Sequence, residues 1–146
     1  MSNATTNDDM DLGSGIAAFE GKHFATAMQL LSPLAEEGNV EAQYRVAIMY
    51  QNGLIGSQNL PEALKFMRAA AGQGHSLAQH GMGFMYLEGE GVEKNAMEAK
   101  KWFELAAAQG LVGSLTTLGM MYQEGNGVEK DEEKAKEYYR QAGFDM

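Results

Sequence analysis

Three histidines, His23, His75 and His80, are the side chains of this sequence best suited to acid–base or metal chemistry. His75 and His80 are five residues apart, a separation that does not bring two side chains to one face of a helix. No thiol or second carboxylate stands beside them at metal-ligand spacing. None is in a recognisable sequence pairing with Ser and Asp, although such a triad is defined in space and not by spacing. The loops Gly89-Glu90-Gly91 and Gly125-Asn126-Gly127 invite comparison with phosphate cradles. They lack the Lys-Ser/Thr ending of a P-loop, and Glu90, Glu93 and Glu129 would repel phosphate. Glu88, Glu90 and Glu93 also miss the oxygen-ligand spacing of a calcium loop. No catalytic, cofactor-binding or metal-binding residue is expected, and the chemistry to look for is that of a binding surface.

Composition narrows the class of partner. The 146 residues fit one domain, and 45% hydrophobic with 21% charged residues is a globular balance. Cysteine is absent, which excludes disulfides, thiolate metal sites and thiol catalysis. A net charge of −9 opposes binding to a nucleic-acid backbone, which needs clustered Lys and Arg. Residues 112–146 carry four basic and seven acidic side chains, against three and two in residues 40–75. The acidic end is compatible with a basic partner surface, though a solvated face gives the same pattern. No run of eighteen apolar residues predicts a membrane span. Residues 1–11 hold Asp8, Asp9 and Asp11 without a basic or apolar stretch. They read as a disordered lead and not as a signal peptide, so a cytoplasmic protein is expected.

The elements that must carry a surface are set by a repeat. Tyr50, Tyr86 and Tyr122 are 36 residues apart, as are Met49, Met85 and Met121, Gly53, Gly89 and Gly125, and Ala63, Ala99 and Ala135. Each unit reads as helix, loop, helix. Ala42, Val46, Met49 and Tyr50 form one apolar stripe on a first helix, and Gly53 and Gly56 break it. Asn59 stands at an N-cap position before Pro61, with Asn95 and Asp131 equivalent to it. Ala63, Phe66, Met67 and Ala70 share a face of the second helix, which Gly74 ends, as Gly38 and Gly110 end its neighbours. A shorter first hairpin, Gly13 to Glu20 and Phe24 to Glu37, is joined by Gly21-Lys22-His23. One repeat domain over 12–146 follows, with units near 12–39, 40–75, 76–111 and 112–146 and eight helices.

The runs Ala42 to Tyr50 followed by Gly53, Gly89-Glu90-Gly91-Val92, Gly125-Asn126-Gly127-Val128, and the segments Lys65 to Gly74 and Lys101 to Gly110, resemble the Sel-one-like repeat, a relative of the tetratricopeptide repeat. The resemblance covers about residues 13–143. It implies an all-α, right-handed α-solenoid of about four antiparallel hairpins, first helices lining a concave face, and adaptor or scaffold roles. Leu54-Ile55 departs from the usual glycine-rich loop, and Thr116-Thr117 is expected to interrupt the last first-helix without altering the fold. A cysteine-rich secreted branch of that family is associated with penicillin binding and β-lactam hydrolysis; the missing cysteines count against that activity here.

A single hairpin cannot bury its apolar stripe, and stacking on the next one does so. The first helices carry a second stripe offset from the first: Tyr44, Ile48 and Gln51, then His80, Phe84 and Leu87, then Thr116, Met120 and Gln123. Ile48, Phe84 and Met120 are divided between packing and a groove, while Tyr44, Gln51, His80, Leu87 and Gln123 are expected to face the groove. Such a row suits a protein or peptide partner, with neither nucleic acid nor membrane. The chain is expected to be a monomer or a weak homo-oligomer, the latter if apolar surface at an uncapped end is covered by a second copy.

Overall fold

The computed structural model describes residues 2–145, with side chains from residue 7 onward. The described residues form eight helices and no strands: α1 (Ser2–Glu20), α2 (Phe24–Glu36), α3 (Val40–Gln51), α4 (Leu60–Gly72), α5 (Ser76–Glu88), α6 (Ala96–Ala108), α7 (Val112–Glu124) and α8 (Glu132–Gln141). They pair as successive antiparallel hairpins, the architecture of an all-α helical solenoid. Two compact units divide between Gln73 and Gly74. In the first, α1 packs on α2, α3 on α4, and α2 on α3. In the second, α5 packs on α6, α7 on α8, and α6 on α7.

The punctuation of each hairpin has a physical cause. The side chains of Asn59, Asn95 and Asp131 accept from the amides of Glu62, Glu98 and Lys134 at 3.2, 3.0 and 3.0 Å, satisfying donors that a helix start leaves open. The amides of these same three residues donate to the carbonyls of Tyr50, Tyr86 and Tyr122 at 2.9, 2.8 and 2.9 Å. The repeated spacing from tyrosine to cap is therefore the length of loop that lets a first helix tie down the start of the second. At the far end, Gly38 and Gly110 adopt φ of +103° and +83°, which a residue with a Cβ rarely takes. Asn39 N–H then reaches Leu34 O, and Leu111 N–H reaches Ala106 O, closing helices α2 and α6.

Two details differ from the sequence reading. Helix α1 starts well before Gly13, where the sequence reading begins it. Asp8, Asp9, Met10 and Asp11 are exposed there, on a segment that offers no conflict with helix. Helix α7 is also continuous through Thr116-Thr117. Their hydroxyls donate to the carbonyls of Val112 and Gly113 at 2.9 and 2.8 Å, so the polar groups are accommodated along the helix and do not break it.

The cores sit where the period places apolar residues. Ala42, Val46, Met49, Ala63, Met67 and Ala70 are fully buried in the first unit, and Met82, Met85, Ala99, Phe103, Ala106 and Leu118 in the second. No described helix is long and apolar enough to cross a membrane.

Candidate functional site

The first helices of the repeat carry the candidate residues, and each unit presents its own row. On α3, Tyr44, Ile48 and Gln51 are all half-buried. Burial is the main influence raising the Tyr44 phenol above its usual pKa; Arg45 opposes it and Glu41 adds to it. The Gln51 carbonyl accepts from Gln58 Nε2 at 2.8 Å, so its backbone anchors the following loop.

In the second unit, α5 places His80 and Phe84 around the buried Phe103 of α6. The ring centroids lie 4.9 Å apart for His80–Phe84, 5.4 Å for His80–Phe103 and 5.1 Å for Phe84–Phe103, all edge-to-face. Gly83 makes this possible, because a Cβ there would lie 2.5 Å from the Phe103 ring. Leu87 and Phe84 pack against the cluster of Ala99, Phe103, Leu118 and Met121. Leu87 thus supports the core as well as the row. On α7, Thr116 is half-buried and bonded to its own helix, and Met120 is 46% exposed. Gln123 is exposed and accepts from the Tyr139 hydroxyl at 2.7 Å.

Three polar arrangements escape the sequence reading. His80 Nδ1 lies 2.7 Å from Ser114 Oγ, a histidine–serine pair across 34 residues. Ser114 is completely buried at a position where the preceding repeats have Ala42 and Ala78, so its hydroxyl needs an internal partner. A nucleophile must be reachable, and this one is sealed in the core. Burial also lowers the pKa of His80, which favours the neutral ring. His75, at the junction before α5, accepts from the Ala78 amide through Nδ1 at 3.2 Å, taking the capping role that Asn39 fills for α3. Finally, Gln43 and Gln79 are buried and accept from Gln73 and Gln109. Both pairs keep the 36-residue step, a signal that a search for repeating polar residues finds. Among the described residues, no group of three His, Asp or Glu side chains could hold a metal ion.

Paired helices at a fixed period, with a row of half-open apolar, aromatic and amide side chains on the first helix of each pair, define a helical-repeat protein of the interaction class. The Sel1 repeat model matches residues 40–75, 76–111 and 115–143, and the chain belongs to the Sel1 repeat family. That family is made up of helical-repeat protein-interaction modules, which are generally scaffolds and not enzymes. The α1/α2 hairpin lies outside the matched residues.

Similar solved structures include the following two. One is c5321, described as a protective antigen present in uropathogenic Escherichia coli strains and displaying an SLR fold. It is 35% identical, with a TM-score of 0.76 over 79% of this chain and 25% of that chain. The other is a Sel1 repeat protein from Oxalobacter formigenes, 32% identical, with a TM-score of 0.82 over 88% of this chain and 53% of that one. The present chain therefore spans about a quarter and about half of their lengths. No curated protein matches the sequence.

Proposed function

We propose that this chain is a non-catalytic adaptor that binds a peptide or surface of a partner protein along the first helices of its repeats, the face expected to be concave. The observation that carries the reading is the row itself. His80 and Phe84 form a half-buried aromatic edge over Phe103, and Met120, in register with Phe84, is 46% exposed. Aromatic anchors beside side-chain amides, supported from beneath by a packed core, are what peptide-binding faces use. Tyr44, Ile48 and Gln51 offer the same kind of half-open row in the first unit.

The test replaces side chains whose loss spares the core. Leu87 and His80 are unsuitable, because Leu87 packs against the Phe103 cluster and His80 lies edge-on to Phe103 and bonds the buried Ser114. A variant carrying Tyr44→Ala and Met120→Glu is expected to keep wild-type helicity and melting while losing capture of the partner identified by affinity purification. Normal capture by the folded variant refutes the reading.

A second reading is favoured by one observation. Met120 and Phe144 are 46% and 51% exposed in the α7/α8 hairpin, and Phe144 reaches only edge-on to Tyr139 at 6.1 Å. Exposed apolar groups of this kind can be covered by a second copy. Sedimentation over a wide concentration range distinguishes the two, since a strict monomer excludes self-assembly. Hydrolysis of a β-lactam, the remaining alternative, is tested with nitrocefin, and turnover above buffer would replace the adaptor reading.

A further inference from the structure

After each first helix, one loop amide donates back to the carbonyl of the repeated methionine. Leu54 reaches Met49 at 3.0 Å, Glu90 reaches Met85 at 2.8 Å and Asn126 reaches Met121 at 2.9 Å. Three different side chains stand at this one repeat position, so the loop uses its backbone and asks nothing of the side chain. Asn126 is exposed. Among the described residues its carboxamide has no hydrogen-bond partner, and neither has the amide of Gly127 that follows it.

An asparagine followed by glycine carries both an electrophile and a nucleophile, which is one source of asparagine's thermal lability. The glycine nitrogen can reach the asparagine Cγ because no Cβ hinders the approach. Two such pairs occur in the chain, Asn52-Gly53 and Asn126-Gly127, and the fold treats them oppositely. Asn52 is the C-cap of α3, with a ψ of 3° that turns the Gly53 nitrogen away from the Asn52 side chain. Asn52 Nδ2 donates to the Ile48 carbonyl at 3.0 Å, and the Gly53 amide donates to the Tyr50 carbonyl at 3.4 Å. Asn126 instead lies beyond α7, past the left-handed cap Gly125 at φ +72°.

We propose that Asn126 is a self-modifying site, whereas Asn52 is protected by its helix cap. The Gly127 nitrogen bonds to Asn126 Cγ, the Cγ–Nδ2 bond breaks, and the displaced proton leaves with Nδ2 as ammonia. Water then opens the cyclic imide at either carbonyl, leaving an aspartate or an isoaspartate at position 126. Water is the only co-reactant, and nothing is oxidised or reduced.

Both products add a negative charge, and isoaspartate also adds a methylene to the backbone. The loop has little room for it. A Cβ on Gly127, whose φ is +74°, would overlap that of Ala96, and Val128 packs against the Phe103 cluster. Isoaspartate at position 126 therefore loosens the joint between the start of α6 and the loop after α7. This chemistry is independent of the adaptor reading.

The full chain is aged in mildly alkaline buffer, folded or in guanidinium chloride, and mapped by mass spectrometry, with isoaspartate labelled by an isoaspartyl methyltransferase. In the folded chain, position 126 is expected to convert at least fivefold faster than position 52. In guanidinium chloride the two should convert at similar rates. A folded chain in which position 52 keeps pace, or in which neither converts, overturns the proposal, as does the same ratio in denaturant. The aged wild type is expected to melt at a lower temperature than the fresh chain, while aged Asn126→Gln keeps its melting point. Freshly prepared Asn126→Asp, which adds the charge without the methylene, should melt as the fresh wild type. An equal fall in aged Asn126→Gln removes position 126 as the source of the loosening.

Discussion

Gln73 donates from Nε2 to the buried Oε1 of Gln43 at 2.8 Å, and one repeat later Gln109 does the same to Gln79 at 2.9 Å. The same two donors reach the carbonyls of Gly38 and Gly74 at 3.2 and 2.9 Å. Each glutamine at the end of a second helix therefore ties its own first helix to the loop preceding it. In the last repeat the position of Gln43 and Gln79 is Leu115, and the demand for a polar partner disappears.

Removing the donor and keeping the acceptor should be the costly change. Gln109→Ala is expected to destabilise the chain by about 1–3 kcal/mol, because Gln79 loses a partner inside the core. Replacing both Gln79 and Gln109 by Leu, as the last repeat does at the first of them, should recover most of that loss. Urea unfolding of the two variants is the measurement, and a double variant no better than the single contradicts the clamp.

Glycines in this chain divide into two kinds with opposite predicted behaviour. A Cβ at Gly83 would lie 2.5 Å from the Phe103 ring, so Gly83→Ala should cost about 1–3 kcal/mol by overpacking. Gly13, inside α1, has nothing within 4 Å of such an atom, so Gly13→Ala should stabilise by about 0.5–1 kcal/mol through helix propensity. Thermal melts of the pair check the sign, and equal shifts would disprove the close Gly83–Phe103 contact.

The fold was legible because a 36-residue period marks tyrosine, cap and terminal glycine alike, and local hydrogen bonds fix each of them. Asn59, Asn95 and Asp131 cap the second helices as their spacing predicts. The sites were less legible because their partners are chosen by packing. Ser114 reads as a helix serine until hairpin stacking sets it 2.7 Å from His80. Leu87 shows the limit of a helical wheel, since its place on the second stripe does not keep it from the Phe103 cluster.

His80 gives the chain a defined pH response. Burial lowers its folded pKa below the unfolded value of 6.5, so the unfolded state binds the proton more readily. The resulting stability is present above pH 6.5 and is lost as pH falls from there through the folded value. The ring is half exposed, so the effect is modest. The urea midpoint of the wild type should fall more between pH 7 and pH 5 than that of His80→Gln, whose amide can still meet Ser114. An equal fall in both removes His80 as the source.

Site-specific photo-crosslinking tests partner binding by the first helices most directly. A benzophenone amino acid is placed at Met120, on the α7 row, or at Arg140, exposed on α8. The account predicts a crosslink to the partner from position 120 and none from position 140. Crosslinking from 140 alone, with a folded and silent 120 variant, would contradict it.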